Sequence, residues 1–107
     1  MPRFLLKSTL KSGKEQQYID EHNNIYPEVS SGLRSAGVLH LHIWKDGLSL
    51  YMMIEMENGK DLTMLGEGSE YQKSSPRVQE WELKMASEFH EGWTQIDEIH
   101  TSDNWGK

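Results

Sequence analysis

Hydrophobic and polar residues alternate along the middle of the chain, as a half-buried β-hairpin requires. From Leu48 to Met56 every second residue is apolar, and the segment Val38–Lys45 is built in the same way. Asp46 and Gly47 stand between the two segments and are a strong signal for a two-residue turn. The register predicted from this turn pairs Lys45 with Leu48, Ile43 with Leu50 and His42 with Tyr51.

The two faces of this predicted hairpin differ in chemistry. One face is apolar and is expected to carry helices; it consists of Leu39, Leu41, Ile43, Leu50, Met52 and Ile54. The other face is amphipathic and suits a cleft or a subunit interface; it consists of His40, His42, Trp44, Ser49, Tyr51 and Met53. Because nothing else in the chain is left to cover the amphipathic face, we predict that a second copy covers it and that the protein is a homodimer.

Apolar residues at helical spacing predict the remaining elements. Val78, Trp81, Met85 and Phe89 form a stripe, which follows a Ser75 N-cap and a proline at the first helical position. The predicted elements are a strand over Arg3–Leu10, helices over Lys14–His22 and Pro27–Ala36, strands over Val38–Lys45 and Leu48–Met56, one helical turn within Asp61–Gly66, a loop over Gly66–Lys73, a helix from Ser75 and a weak strand over Thr94–His100. The order βαββαβ predicts an α+β, ferredoxin-like sandwich that pairs into a dimeric α/β barrel.

Composition narrows the class of protein. The 107 residues suit one domain, 1–107, with a tail from about Thr101. The net charge of −6 argues against nucleic acid and anionic membrane as partners, and no apolar run reaches transmembrane length. The absence of cysteine excludes disulfides and thiolate chemistry and is compatible with the cytoplasm, which is the location we expect.

The chemistry is expected near the break between the first two helices. Tyr18 and His22 are four residues apart and would share one helix face. Imidazole has the unperturbed pKa closest to neutrality, so His22 is a candidate proton donor or acceptor. His40 and His42 could suit a metal ion, but no third ligand is evident and no metal site is predicted. His90 and His100 are interpreted as solvated surface residues.

Two blocks of sequence resemble the L-rhamnose mutarotase family. The first block holds Tyr18, His22 and Tyr26-Pro27-Glu28, and the family usually has Trp-Pro-Glu at the last three positions. The second block is Val78-Gln79-Glu80-Trp81-Glu82, whose sequence is more similar to the branch often assigned to L-fucose. The resemblance extends from Arg3 to about Ile99. It implies a cofactor-free isomerase that interconverts the α and β anomers of a 6-deoxy-L-hexose, L-rhamnose or L-fucose.

The resemblance also implies roles for individual residues. His22 matches the family's proton donor, while Tyr18 and Trp81 match residues that contact the sugar. His22 and Tyr18 are therefore the expected catalytic pair, in which Tyr18 orients a sugar hydroxyl or relays a proton, and Trp81 is an expected substrate-binding residue. Glu82 stands where the rhamnose branch has a second tryptophan, and Leu41 stands where it has a substrate-contacting tyrosine. Because the predicted register places Leu41 on the helix face, His42 and Tyr51 are expected to contact the substrate instead.

The sequence leaves the role of Trp81 open. Trp81 lies on an apolar stripe, so it can be a core residue as readily as a stacking platform for a sugar.

Two other functions also stay open. The same fold serves cofactor-free dimeric-barrel monooxygenases that act on aromatic or haem-like substrates, and a non-catalytic ligand-binding module is the other possibility.

Overall fold

A computed structural model describes residues 1–106, which form a four-stranded antiparallel sheet with the helices packed on one face. The elements in chain order are β1 (Arg3–Thr9), α1 (Glu15–Asn23), α2 (Pro27–Ser35), β2 (Val38–Asp46), β3 (Ser49–Met56), α3 (Glu70–Lys73), α4 (Pro76–Lys84) and β4 (Thr94–Ile96). The strand order is β2-β3-β1-β4. This is the ferredoxin-like arrangement, so the predicted α+β fold of the single chain is confirmed, while pairing into a dimeric barrel stays a prediction.

The hairpin register differs from the predicted one. Asp46 pairs with Ser49 and Lys45 with Leu50, so the turn residues are Gly47 and Leu48. Gly47 has a φ of 61° and takes the first central position, which type II′ turns reserve for glycine. The pairing is displaced by two residues, and because side chains alternate with a period of two, the predicted division between the two faces survives.

The core lies between the sheet and the helices. Leu50 and Ile54 of β3 are 0% and 2% exposed, and Val29 of α2 is 0% exposed. The stripe predicted for the last helix is buried in full, and Ser75 caps α4 by accepting a hydrogen bond from the backbone of Arg77 at 3.1 Å. Pro27 begins α2, as predicted.

Helix α4 continues into a wider, π-helical turn over Met85–Phe89. The backbone N–H of His90 donates to the carbonyl of Met85 at 3.2 Å, a bond that spans five residues. The chain then pairs with the end of β1 through a bridge between Leu10 and His90. Single π turns often occur at functional sites, and this one carries His90 inward.

Three predicted segments need correction or qualification. The expected loop Gly66–Lys73 contains the short helix α3, whose Ser69 N-cap accepts a hydrogen bond from the backbone of Gln72. The last strand is shorter than Thr94–His100, because only Thr94–Ile96 pairs with β1. In the predicted tail, Ser102–Asn104 forms a 3-10 turn, while Lys107 lies outside the described residues.

Candidate active site

The break between α1 and α2 holds an aromatic pair. Helix α1 ends at Asn23, and Tyr26 precedes α2 in an extended conformation. One turn before the end of α1, the rings of Tyr18 and His22 lie with their centroids 4.3 Å apart and their planes at 41°. The spacing of four residues therefore places the phenol and the imidazole side by side.

The hydrogen bonding of His22 defines which nitrogen can react. Its Nδ1 lies 2.9 Å from the carbonyl oxygen of Tyr18, so Nδ1 carries the proton and donates it to that carbonyl. Nε2 has no hydrogen-bond partner within residues 1–106. Every buried side-chain nitrogen or oxygen in that range has a partner, so Nε2 is not a buried atom. Nε2 is therefore open to solvent, with its lone pair free to accept a proton.

Burial favours the neutral form of His22. Desolvation lowers the pKa of its imidazole below the usual value, with a smaller contribution from His90, and the bond to the Tyr18 carbonyl and the charge of Glu21 oppose this only in part. Burial also raises the pKa of Tyr18, which is 4% exposed, so its hydroxyl keeps its proton at neutral pH.

Trp81 packs beside this pair rather than standing free. Its ring is edge-on to His22 at 5.2 Å and to Tyr26 at 5.3 Å, and it is only 5% exposed. It belongs to the main buried cluster, in which it meets residues of α1 and α2. Of the two interpretations left open by the sequence, core packing has direct structural support, and the stacking role stays a prediction.

A cleft of about 770 Å³ opens between the sheet and the helices, and Tyr18, His22 and Trp81 all line it. Leu41, Ile43 and Met52 form an apolar wall on the sheet side. The polar groups that reach it are contributed mostly by the helices and by the segment after the π turn; they include Arg34, Glu82, His90 and Glu91. The cleft thus combines an apolar wall with proton-transferring groups.

In the single chain, His40 and His42 of the amphipathic sheet face are among the residues that line the cleft of His22, whereas Tyr51 is not. Tyr51 pairs with Trp44 on that outer face, with Lys7 5.8 Å from its ring, and it does not line the cleft of His22. His42 lines the cleft, and its exposed ring lies in a row with those of His40 and Trp44. Alternation along β2 turns Leu41 toward the helices and the ring of His42 away from them, so a contact between His42 and a substrate stays a prediction.

Leu41 itself faces the cleft, where it packs against the buried cluster around Ile54. The position that the family resemblance assigns to a substrate-contacting tyrosine is therefore a cleft position here as well. The ungapped alignment of Leu41 with the family's tyrosine is therefore consistent with the structure, and an apolar side chain takes the place of a phenol in the cleft wall.

The sequence analysis named Glu82 as a departure from the rhamnose branch but did not predict its hydrogen bonding or a role in proton transfer. Glu82 accepts a hydrogen bond from the hydroxyl of Tyr71 at 2.7 Å, and burial raises the pKa of the carboxyl while that bond lowers it. One signal was available, because Glu82 lies four residues after Val78 and three before Met85 and so interrupts the apolar stripe of α4. Tyr71 could not be found in the same way, since its segment was predicted to be a loop.

The interpretation of His90 as a solvated surface residue is also wrong. His90 is 6% exposed, its Nδ1 donates to the carbonyl of Glu91 at 2.6 Å, and its ring lies 5.7 Å from Tyr18. Burial lowers the pKa of this imidazole. No local pattern predicts the position, because it depends on the π turn.

No helix among residues 1–106 is long and apolar enough to cross a membrane. No group of three or more histidine, cysteine, aspartate or glutamate side chains in the same range could hold a metal ion, and the stacked rings of His40 and His42 lie 6.3 Å apart without a third ligand.

Comparison with known proteins relates this geometry to a family. A family model described as L-rhamnose mutarotase matches residues 3–106. Among solved structures, an L-rhamnose mutarotase from Formosa agariphila is similar, with 20% sequence identity, a TM-score of 0.73 and coverage of 94% of this chain and 98% of that one. At this identity the structural likeness shows the fold alone. No match was found among curated proteins.

Proposed function

Because the chain belongs to the L-rhamnose mutarotase family, a family of isomerases that interconvert sugar anomers, we propose that its cleft binds a 6-deoxy-L-hexose with His22 as the acid/base. The observation that supports this assignment is the orientation of His22. Its Nδ1 is engaged by the Tyr18 carbonyl, and its Nε2 is left for a ligand in the cleft. A positioned group of this kind contributes roughly 10²–10⁴-fold to a proton-transfer reaction.

The reaction requires two proton movements. Opening the pyranose removes a proton from the anomeric hydroxyl and adds one to the ring oxygen, and closing on the opposite face reverses both. The neutral imidazole of His22 suits the first movement, since Nε2 has a lone pair available. Tyr18, whose buried hydroxyl keeps its proton, would hold and orient a sugar hydroxyl.

The wall of the cleft supports a deoxy sugar. Leu41, Ile43 and Met52 present apolar surface opposite the helices, which would accept the C6 methyl group of L-rhamnose or L-fucose. The edge of Trp81 would contact the sugar beside His22. Because Glu82 and Leu41 give the cleft a different polarity from the pocket implied for the rhamnose branch, we expect L-fucose to be at least as good a substrate as L-rhamnose.

We further propose that the protein acts as a homodimer in the cytoplasm. The outer sheet face carries partly exposed apolar side chains, with Leu5 at 38%, Ile96 at 38% and Trp44 at 53% exposure. Apolar surface of this kind favours burial by about 25 cal/mol for each Å² covered. Since the His22 cleft lies on the other side of the sheet, pairing through the outer face would leave the cleft open.

Saturation transfer between the anomeric protons, measured by NMR, tests the proposed function. We expect enzyme-dependent exchange for L-rhamnose and L-fucose. L-mannose and L-galactose are the matched controls, since each differs from one of these sugars only by a hydroxyl at C6, and we expect slower exchange for them. If no sugar exchanged faster with the protein than without it, the assignment would be wrong; exchange of L-rhamnose without L-fucose would refute the expected preference alone.

A further inference from the structure

Glu82 is a partly buried carboxylate on the cleft side of α4. It lies between the buried residues Val78 and Met85. Within residues 1–106 no lysine, arginine or histidine lies within ion-pair distance of it. Removing a carboxylate from water without a cation beside it costs free energy even when the removal is partial, so a carboxylate at this position is a candidate functional group.

The Tyr71 hydroxyl holds this carboxylate in place. Tyr71 is 3% exposed, and its hydroxyl donates to one oxygen of Glu82 at 2.7 Å. A carboxyl group has two oxygens, so the second remains available to a ligand. Glu82 also directly follows Trp81, whose ring contacts His22 at 5.2 Å, and both Glu82 and His22 line the same cleft.

We propose that Glu82 is the second proton-transferring residue of the anomer exchange and works with His22 across the bound sugar. This inference rests on the proposed function. In the opening step, Nε2 of His22 takes the proton of the anomeric hydroxyl, the bond between C1 and the ring oxygen breaks, and the C1 carbonyl forms. The ring oxygen receives the proton of the Glu82 carboxyl. Closing on the other face returns both protons, so the enzyme ends in its initial state.

The directions of the pKa shifts agree with His22 as the proton acceptor and Glu82 as the proton donor. Burial lowers the pKa of His22 and raises the pKa of Glu82, which brings the proton affinities of the two groups closer together. One proton shared between them gives the reactive state. The other titratable or charged groups that line the cleft are Tyr18, Arg34, His40, His42, Tyr71, His90 and Glu91.

Two of these groups are weaker candidates for the same role. Burial raises the pKa of Tyr18, so its hydroxyl binds protons too firmly to release one readily at neutral pH. Burial lowers the pKa of His90, and its Nδ1 already donates to the carbonyl of Glu91 at 2.6 Å, which leaves Nε2 of the neutral imidazole as an acceptor rather than a donor. Glu82 has a second carboxyl oxygen that Tyr71 does not engage and a proton affinity raised by burial, so it is the stronger candidate for the donor.

The decisive variant is Glu82→Gln, which keeps the size of the side chain and its ability to accept from Tyr71. We expect kcat for anomer exchange to fall about 100-fold, the low end of general acid–base contributions, with KM changed by less than about threefold. The alkaline limb of the pH–rate profile should disappear, because in the wild type it reports loss of the shared proton. Glu88→Gln is the matched control, since it removes the same charge from an exposed position one and a half turns further along.

A second variant tests the proton affinity directly. The hydrogen bond from Tyr71 lowers the pKa of Glu82, so Tyr71→Phe should raise it and move the alkaline limb to higher pH. Glu82→Asp keeps the carboxyl and should recover part of the activity that Glu82→Gln loses. If the melting temperature shows that Glu82→Gln does not fold, Tyr71→Phe and Glu82→Asp test the role of Glu82 in proton transfer in its place.

The outcomes distinguish failure of the proposed mutarotase function from failure of the role of Glu82 alone. If the wild-type protein exchanges no sugar, the proposed function fails. If the wild type exchanges a sugar and Glu82→Gln keeps both its kcat and its pH profile, only the inference about Glu82 fails. A rise in KM at unchanged kcat would make Glu82 a binding residue and would overturn its role in proton transfer.

Discussion

The helix side and the outer side of the sheet carry the same kinds of side chain in different environments. On the helix side, Tyr18, His22 and Trp81 lie in close contact, and the tyrosine and tryptophan are 4% and 5% exposed. On the outer side, His42 and Trp44 also lie near each other, at 5.9 Å between ring centroids, but Trp44 is 53% exposed. Residue type and ring contact are therefore similar on both sides, and burial is the difference.

Burial is what turns one of these clusters into a candidate site. It shifts the pKa values of His22 and Glu82, and both residues line a cleft. Electrostatic and hydrogen-bonding interactions gain strength in such an environment. Clusters of histidine and aromatic residues thus occur on both sides of the sheet, and only packing distinguishes the candidate active site from the proposed dimer surface.

The sharpest test replaces one histidine from each side. His22→Ala should lower the rate of anomer exchange by roughly 10²–10⁴-fold, because it removes the proposed acid/base. His42→Ala, on the outer face, should leave the rate within about threefold of the wild type. Saturation-transfer NMR on both variants, with melting temperatures as a check on folding, compares them; equal rates in the His22 variant and the wild type would end the proposed mechanism.

A pair of tryptophan variants tests the same contrast in stability. Trp81→Ala should cost about 3–5 kcal/mol in the free energy of unfolding, as truncation of a buried aromatic residue does. Trp44→Ala should change it by about 0.5 kcal/mol or less in the monomeric state, because more than half of that side chain is exposed. Urea denaturation gives both values. If Trp81→Phe kept full stability but lost sugar binding, the ring would act mainly as a binding platform.

Charge on the outer face tests association. Met53→Asp places a carboxylate at the centre of the proposed interface and should separate the subunits, which analytical ultracentrifugation at micromolar concentration detects. Activity should stay within a few-fold of the wild type, because the His22 cleft lies on the opposite side of the sheet. A wild-type chain that sediments as a monomer would contradict the proposed dimer, and loss of activity on separation would show that the partner completes the cleft.

The pH dependence of stability is the smallest expected effect. The pKa values of His22 and His90 are lowered in the folded state, so their contribution is present above about pH 6.5 and is lost as the pH falls through the folded values. Each tenfold change in proton affinity is worth about 1.4 kcal/mol. Glu82 acts in the opposite direction, since its raised pKa gives a contribution that is present below about pH 4.5 and is lost as the pH rises.

Melting temperatures between pH 4.5 and pH 7.5 check these signs. Replacing His22 and His90 by asparagine should flatten the loss of stability on acidification, whereas Glu82→Gln should make that loss steeper. An unchanged slope in the double histidine variant would show that burial does not perturb these imidazoles.

The sequence by itself determined the features that depend on neighbours along the chain. The alternation in β2 and β3 separated the two sheet faces correctly even though the register was displaced, because a displacement of two residues preserves the face. The spacing of Tyr18 and His22 placed their rings together, since a helix brings residues four apart onto one side. Ser75 and Pro76 located the start of α4 for the same local reason.

Only the tertiary structure decided which sheet face borders the cleft and which polar groups reach it. Tyr71 and Glu82 meet across two helices, and His90 is buried because a π turn redirects the chain beside β1. Such contacts depend on how whole elements pack, and many small interactions between distant segments set that packing. Backbone geometry fixes which neighbours along a helix or strand share a side, but it does not determine which distant elements will lie against that side.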